Sequence, residues 1–179
     1  MLSEQSRHNL IEVFERVARA SMLRSEEHSW DISREAANAV APAGSGPLLV
    51  ITTSSFRFRL LTIFSVPDNE ANRDYFIPAG SGLTIQEGFA EIANLCCGAL
   101  NREISNIYTH LAMSVPSRLS SECLGYLTEL APAFISRSMI SINGTVKVGV
   151  TLCMCCTAPV EIPTPTAVAE QATGELEMF

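Results

Sequence analysis

Thr84-Ile-Gln-Glu87-Gly-Phe-Ala-Glu91-Ile-Ala-Asn94-Leu-Cys-Cys-Gly98-Ala-Leu-Asn101-Arg-Glu-Ile-Ser105 carries a helical period over its whole length, and the rest of the chain is read around it. Thr84 followed three residues later by Glu87 forms a capping box, in which each side chain satisfies a backbone donor of the first turn. At about 100° per residue, Ile85, Phe89, Ile92, Cys96, Ala99 and Leu100 gather on one side, which a sheet should cover. The same rotation sends Glu87, Glu91, Asn94, Gly98 and Asn101 to the opposite side. Glu91 and Asn94 are neighbours there at the i, i+3 spacing. Gly98 costs the helix up to about 1 kcal/mol, and leaves no side chain in the way of an approaching partner. Periodicity alone does not separate this polar stripe from the ordinary solvated face of a surface helix.

Outward from this helix, His8 to Met22 repeats Leu10, Val13, Phe14, Val17 and Ala18 at helical spacing, predicting a first amphipathic helix. Asp31 to Val40 reads as a second short helix closed by Pro42, and Pro42 to Pro47 as a loop. Leu48 to Val66, rich in branched and aromatic residues and broken by Thr52-Thr53-Ser54-Ser55, predicts a hairpin. Pro67 to Gly82 reads as a long surface loop. Beyond the central helix, His110 to Pro116 reads as a strand and Ser120 to Leu130 as a short helix. Met139 to Ile142 and Thr145 to Cys156 read as two strands joined at Asn143-Gly144, a strong hairpin signal. On the second of these Val146, Val148, Val150, Leu152 and Met154 share the core face. The expected body spans residues 1–157, with a flexible tail, rich in Pro, Thr and Ala, over residues 158–179.

The 179 residues, 47% hydrophobic and 17% charged, suit one folded domain rather than a disordered chain. A formal net charge of -7 argues against a basic surface for nucleic acid, so the alternation of Arg57 and Arg59 with aromatics reads as a solvated strand face. With neither a secretory leader nor an apolar run of membrane-spanning length, the expectation is a cytoplasmic protein with no membrane partner and reduced cysteines. Cys153 and Cys156 have C-x-x-C spacing, but three residues apart on a strand they point to opposite faces and cannot share one ion. His8, His28 and His110 form no metal or nucleophile-activating pattern, and no metal site is expected. Asn143-Gly144-Thr145 reads as a turn rather than a glycosylation acceptor.

The run Glu91-Ile-Ala-Asn94-Leu-Cys-Cys-Gly98, with Pro116 twenty-two residues after Asn94, resembles the signature of the CheC/CheX chemotaxis phosphatases. His110-Leu-Ala-Met-Ser-Val-Pro116-Ser is similar to the strand that follows the motif helix in CheX-like domains. The order of elements agrees across about Leu10 to Cys156. Glu87 stands where the family pattern has Asp or Ser. A second match, Asp31-x-x-x-Glu35-x-x-Asn38, lacks both the glycine and the downstream proline and reads as helix capping, so a single motif resembles CheX more than two-motif CheC.

The resemblance implies an α+β fold, with helices packed on a largely antiparallel sheet, and hydrolysis of the aspartyl phosphate of a CheY-like response regulator. It implies Asn94 as the residue that orients water and Glu91 as the docking residue, both classed as catalytic, with Glu87, Gly98 and Asn101 contacting the partner. It implies no cofactor of the chain's own, the magnesium ion being supplied by the response regulator. Two alternatives stand beside the phosphatase: a noncatalytic module that binds a receiver domain or another signalling protein, and a homodimer formed through the sheets.

Overall fold

The computed structural model describes residues 2–34 and 47–164. Helix α1 (Glu4–Met22) starts where Ser3 accepts a hydrogen bond from the Ser6 amide, four residues before the expected start. Its buried stripe includes Leu10, Val13, Phe14, Val17 and Ala18, as the period predicts.

Among the described residues, seven strands form one sheet: β1 (Trp30–Arg34), β2 (Leu48–Ser54), β3 (Phe58–Ser65), β4 (Ala112–Met113), β5 (Ser117–Leu119), β6 (Phe134–Ile142) and β7 (Val146–Cys156). Their order is β1-β6-β7-β3-β2-β4, with β5 also on β2, and every pairing is antiparallel. The β6–β7 hairpin turns at Asn143 and Gly144, both at positive φ (53° and 74°), a conformation that Gly and Asn tolerate best. Val146, Val148, Val150, Leu152 and Met154 are all buried on the face covered by the helices. The opposite face holds a smaller cluster of Leu48, Val50, Ile63, Leu127 and Cys153 beneath a 3₁₀ helix (Ser121–Leu130). Helices on an antiparallel sheet make the fold α+β, as expected.

Several local expectations give way to tertiary structure. Asp31 to Arg34, expected to open a helix, instead pair with Ser141 to Ser138 of β6, because an exposed sheet edge offers backbone partners that a short helix lacks. The rest of that expected helix, with Glu35 and Asn38 of the second motif match and most of the following loop, lies outside the described residues. The long loop at Pro67 to Gly82 contains helix α2 (Glu70–Phe76), capped by Asn69. Buried Asn72 locks it to the sheet, donating to the Pro67 and Lys147 carbonyls and accepting from the Lys147 amide. The strand expected at His110 to Pro116 is reduced to β4, since His110 turns the chain at φ 65°. Pro116, without an N–H, sits in the gap before β5. Strand β6 begins at Phe134, earlier than expected, and the short helix at Ser120 to Leu130 is a 3₁₀ helix.

The tail expected from residue 158 does not begin there. Val160 and Ile162 are buried, and Leu2 bridges to Val160 in parallel. Asn9 donates to the Ile162 carbonyl at 2.6 Å, Ser6 Oγ accepts from the Ile162 amide and donates to Glu161, and Tyr108 bonds both the amide and the carbonyl of Glu161. Apolar residues at 160 and 162 and buried polar groups on α1 convert this proline-rich segment into a strap.

Candidate functional site

Helix α3 (Ile85–Ser105) is the element on which the candidate residues stand. Its start is the capping box read from the sequence: Thr84 Oγ1 accepts from the Glu87 amide, while Glu87 Oε2 accepts from the Thr84 amide at 2.9 Å. Donation to Oε2 from the Thr84 amide, then from the Thr84 hydroxyl at 2.7 Å, and then the charge of Arg118 hold the Glu87 carboxyl below the usual glutamate range. Its other oxygen, Oε1, faces Arg118 of β5 at 3.8 Å. The first turn of α3 is thereby tied to the edge strand that follows Pro116. Glu87 is exposed as expected, but its carboxylate already serves the helix end.

The buried side of α3 is Ile85, Phe89, Ala93, Cys96, Cys97, Leu100 and Ile104. Phe89 packs edge-on against Phe64 of β3 and Phe76 of α2, with ring centroids 5.6 Å and 5.0 Å away. Ala93 and Cys97 are deeper than expected, and Ile92 and Ala99 are only half-buried. The axis is rolled slightly because α1 packs beside α3 and covers a second flank. Burial pushes the Cys97 thiol up to about 12 and that of Cys96 further, so neither is a nucleophile near neutral pH. Cys153 lies in the cluster under the 3₁₀ helix and Cys156 on the opposite sheet face, as the strand period requires.

On the outward side Glu91 is exposed and Asn94 half-buried, one turn apart. Among the described residues neither side chain makes a hydrogen bond or ion pair, so a carboxylate and an amide stand free together. Gly98 follows one turn later. A Cβ there would meet only Arg102 Nη1, at 3.8 Å, so packing does not demand the glycine. Asn101, at the margin of the stripe, is half-buried, and its Oδ1 is out of solvent with no partner among the described residues. The structure therefore brings Glu91, Asn94 and Gly98 together, assigns Glu87 to the cap and turns the Asn101 oxygen inward. Leu95 and Arg102, absent from the sequence-based candidates, share the exposed side. The same 100° rotation that selected Glu91 would have found both.

No family model matches the sequence, and comparison with curated proteins gives no match. Solved structures do match over nearly their whole length. CheX from Borrelia burgdorferi, crystallised with CheY, BeF3 and magnesium, aligns with TM-score 0.57 at 10% identity, over 84% of this chain and 97% of that one. The chain has the CheC-like fold. A CheC-like superfamily protein from a Shewanella species gives TM-score 0.51 at 8% identity, covering 85% of this chain and 98% of its own. CheX from Vibrio vulnificus gives 0.50 at 13% identity, covering 82% and 94%. Within the CheC-like fold, α3 is the helix on which the Glu91 to Gly98 motif was read. Among the described residues, no helix is long and apolar enough to cross a membrane, and no three His, Cys, Asp or Glu side chains converge on a metal position.

Proposed function

We propose that this protein is a phosphatase that hydrolyses the aspartyl phosphate of a CheY-type receiver domain in the cytoplasm. The observation that carries the reading is the pairing of Glu91 and Asn94 on one outward face of α3, both free of partners among the described residues. The pairing of CheX with CheY in the Borrelia burgdorferi complex supports a receiver domain as the partner.

The chemistry suits those two residue types. An acyl phosphate already has a good leaving group, so what the protein must supply is an in-line water and a fixed approach. The Asn94 amide both donates and accepts, and orients water without titrating. Glu91 forms a charge-assisted bond to a lysine of the receiver and sets the helix in register. Magnesium belongs to the receiver, where it neutralises the phosphoryl oxygens. Gly98 carries no side chain, and only the Arg102 guanidinium comes within 4 Å of where its Cβ would stand, which favours a close approach of the receiver to α3.

The two roles separate experimentally. Asn94→Ala should abolish accelerated phosphate loss from a receiver labelled with acetyl phosphate while the complex still forms. Glu91→Ala should weaken both. A noncatalytic receiver-binding module would bind the labelled receiver without shortening the life of its phosphate.

A further inference from the structure

The outward stripe of α3 does not end at Gly98. With Glu91 as origin and about 100° per residue, Leu95 lies about 40° to one side, Gly98 about 20° to the other, and Arg102 about 20° back toward Leu95. Leu95 is 55% exposed, and Arg102 is exposed. Helical side chains lean toward the N-terminus, and Arg102 follows that rule: its Nη1 lies 3.8 Å from where a Gly98 Cβ would stand. A guanidinium rooted eight residues after Asn94 is thus carried back to the level of Gly98. That is one turn, about 6 Å along the axis, from Asn94.

This cation is not spent inside the fold. Arg16, Arg34, Arg73 and Arg118 each pair with a carboxylate. Among the described residues the Arg102 guanidinium has no hydrogen bond or ion pair. In a chain of net charge -7, a lone guanidinium beside the free carboxylate and amide is a local inversion of sign. Along the face the order is anion at Glu91, apolar surface at Leu95 and cation at Arg102. Such a surface is directional: it complements a partner that presents a cation, an apolar side chain and an anion in matching order, and it repels the reversed approach.

Resting on the phosphatase reading, we infer that Arg102 is a second docking residue, whose guanidinium grips an anionic group of the receiver domain while Leu95 packs on apolar surface between the two charged contacts. A planar guanidinium matches the paired oxygens of a phosphoryl group or of a carboxylate beside it.

The test uses the full chain and a CheY-type receiver domain, free or phosphorylated with acetyl phosphate, with binding and phosphate loss measured for wild type, Arg102→Gln, Arg102→Lys and Arg102→Glu. Arg102→Gln should weaken binding about tenfold and raise KM to match, with Lys intermediate and Glu worse than Gln. High salt should erase most of the difference. A defect confined to the phosphorylated receiver assigns the anion to the phosphoryl group, and an equal defect with the free receiver assigns it to a carboxylate; both support the inference. Wild-type binding and KM in Arg102→Gln and Arg102→Glu, beside an inactive Asn94→Ala, would overturn it and leave the phosphatase standing. If wild type itself does not speed phosphate loss, the phosphatase reading fails, and the binding measurements alone decide the role of Arg102.

Discussion

Two glycines of α3 should answer alanine with opposite signs. In a helix interior the exchange stabilises by up to about 1 kcal/mol, because alanine loses less backbone freedom on folding. At Gly98 the new methyl would meet only Arg102 Nη1 at 3.8 Å, an ordinary contact, so the gain is kept. For a domain of this size that raises Tm by about 2–4 °C. At Gly88 the methyl would stand 3.2 Å from Ile77 Cγ1 and 3.3 Å from the Phe76 carbonyl oxygen, where the end of α2 crosses α3. Ile77 is itself held by its amide, which donates to the Arg73 carbonyl. Overpacking of this kind costs about 1–3 kcal/mol, which cancels the propensity gain or exceeds it. Gly88→Ala should therefore lower Tm or leave it unchanged, whereas Gly98→Ala raises it. Thermal unfolding followed by circular dichroism reads both. Equal stabilisation at the two sites would mean that α2 does not press on α3, and that Gly88 is not a packing requirement.

The strap makes a stability prediction: ending the chain at residue 157 removes buried Val160 and Ile162, at about 1.5–3 kcal/mol each, and urea unfolding should show a loss of about 3–6 kcal/mol. A chain that keeps its urea midpoint after that deletion would contradict the packing of residues 158–164. Glu87 sets a pH dependence. Its folded-state carboxyl is held down by the Thr84 backbone bond, so its contribution is complete above the ordinary value of 4.5 and is lost as pH falls through the lowered value. Glu87→Gln should flatten that part of the acid-stability curve, while the part from Asp68, lowered by its bond to Arg73, remains. An unchanged acid limb in Glu87→Gln would show that the cap bond does not hold the charge.

What could be read from the sequence follows how local each determinant is. The capping box at Thr84 and Glu87 and the turn at Asn143-Gly144 are set by neighbours within a few residues, and both stand where expected. So does the core-facing set of β7, from Val146 to Met154 at every second residue, although Thr151 and Cys153 on the other face are buried as well. Elements whose partners lie far along the chain were misread. β1 is held by β6 more than a hundred residues away, and α2 by the clip of Asn72 to Lys147. The strap depends on Asn9, Ser6 and Tyr108, none of which is near residue 160 in sequence, while prolines there suggest an open tail. At the site, Glu91, Asn94 and Gly98 were recoverable from rotation about one axis. The burial of the Asn101 oxygen was not, because at the margin of the stripe burial is set by tertiary packing that the helical period does not encode.

The most direct test of the phosphatase account is the rate of phosphate loss from a CheY-type receiver domain pre-labelled with acetyl phosphate, measured alone, with the wild-type protein and with Asn94→Ala. The account predicts acceleration by the wild type, and decay at the receiver's own rate with Asn94→Ala. Equal acceleration by the two proteins, or none by the wild type, would contradict it.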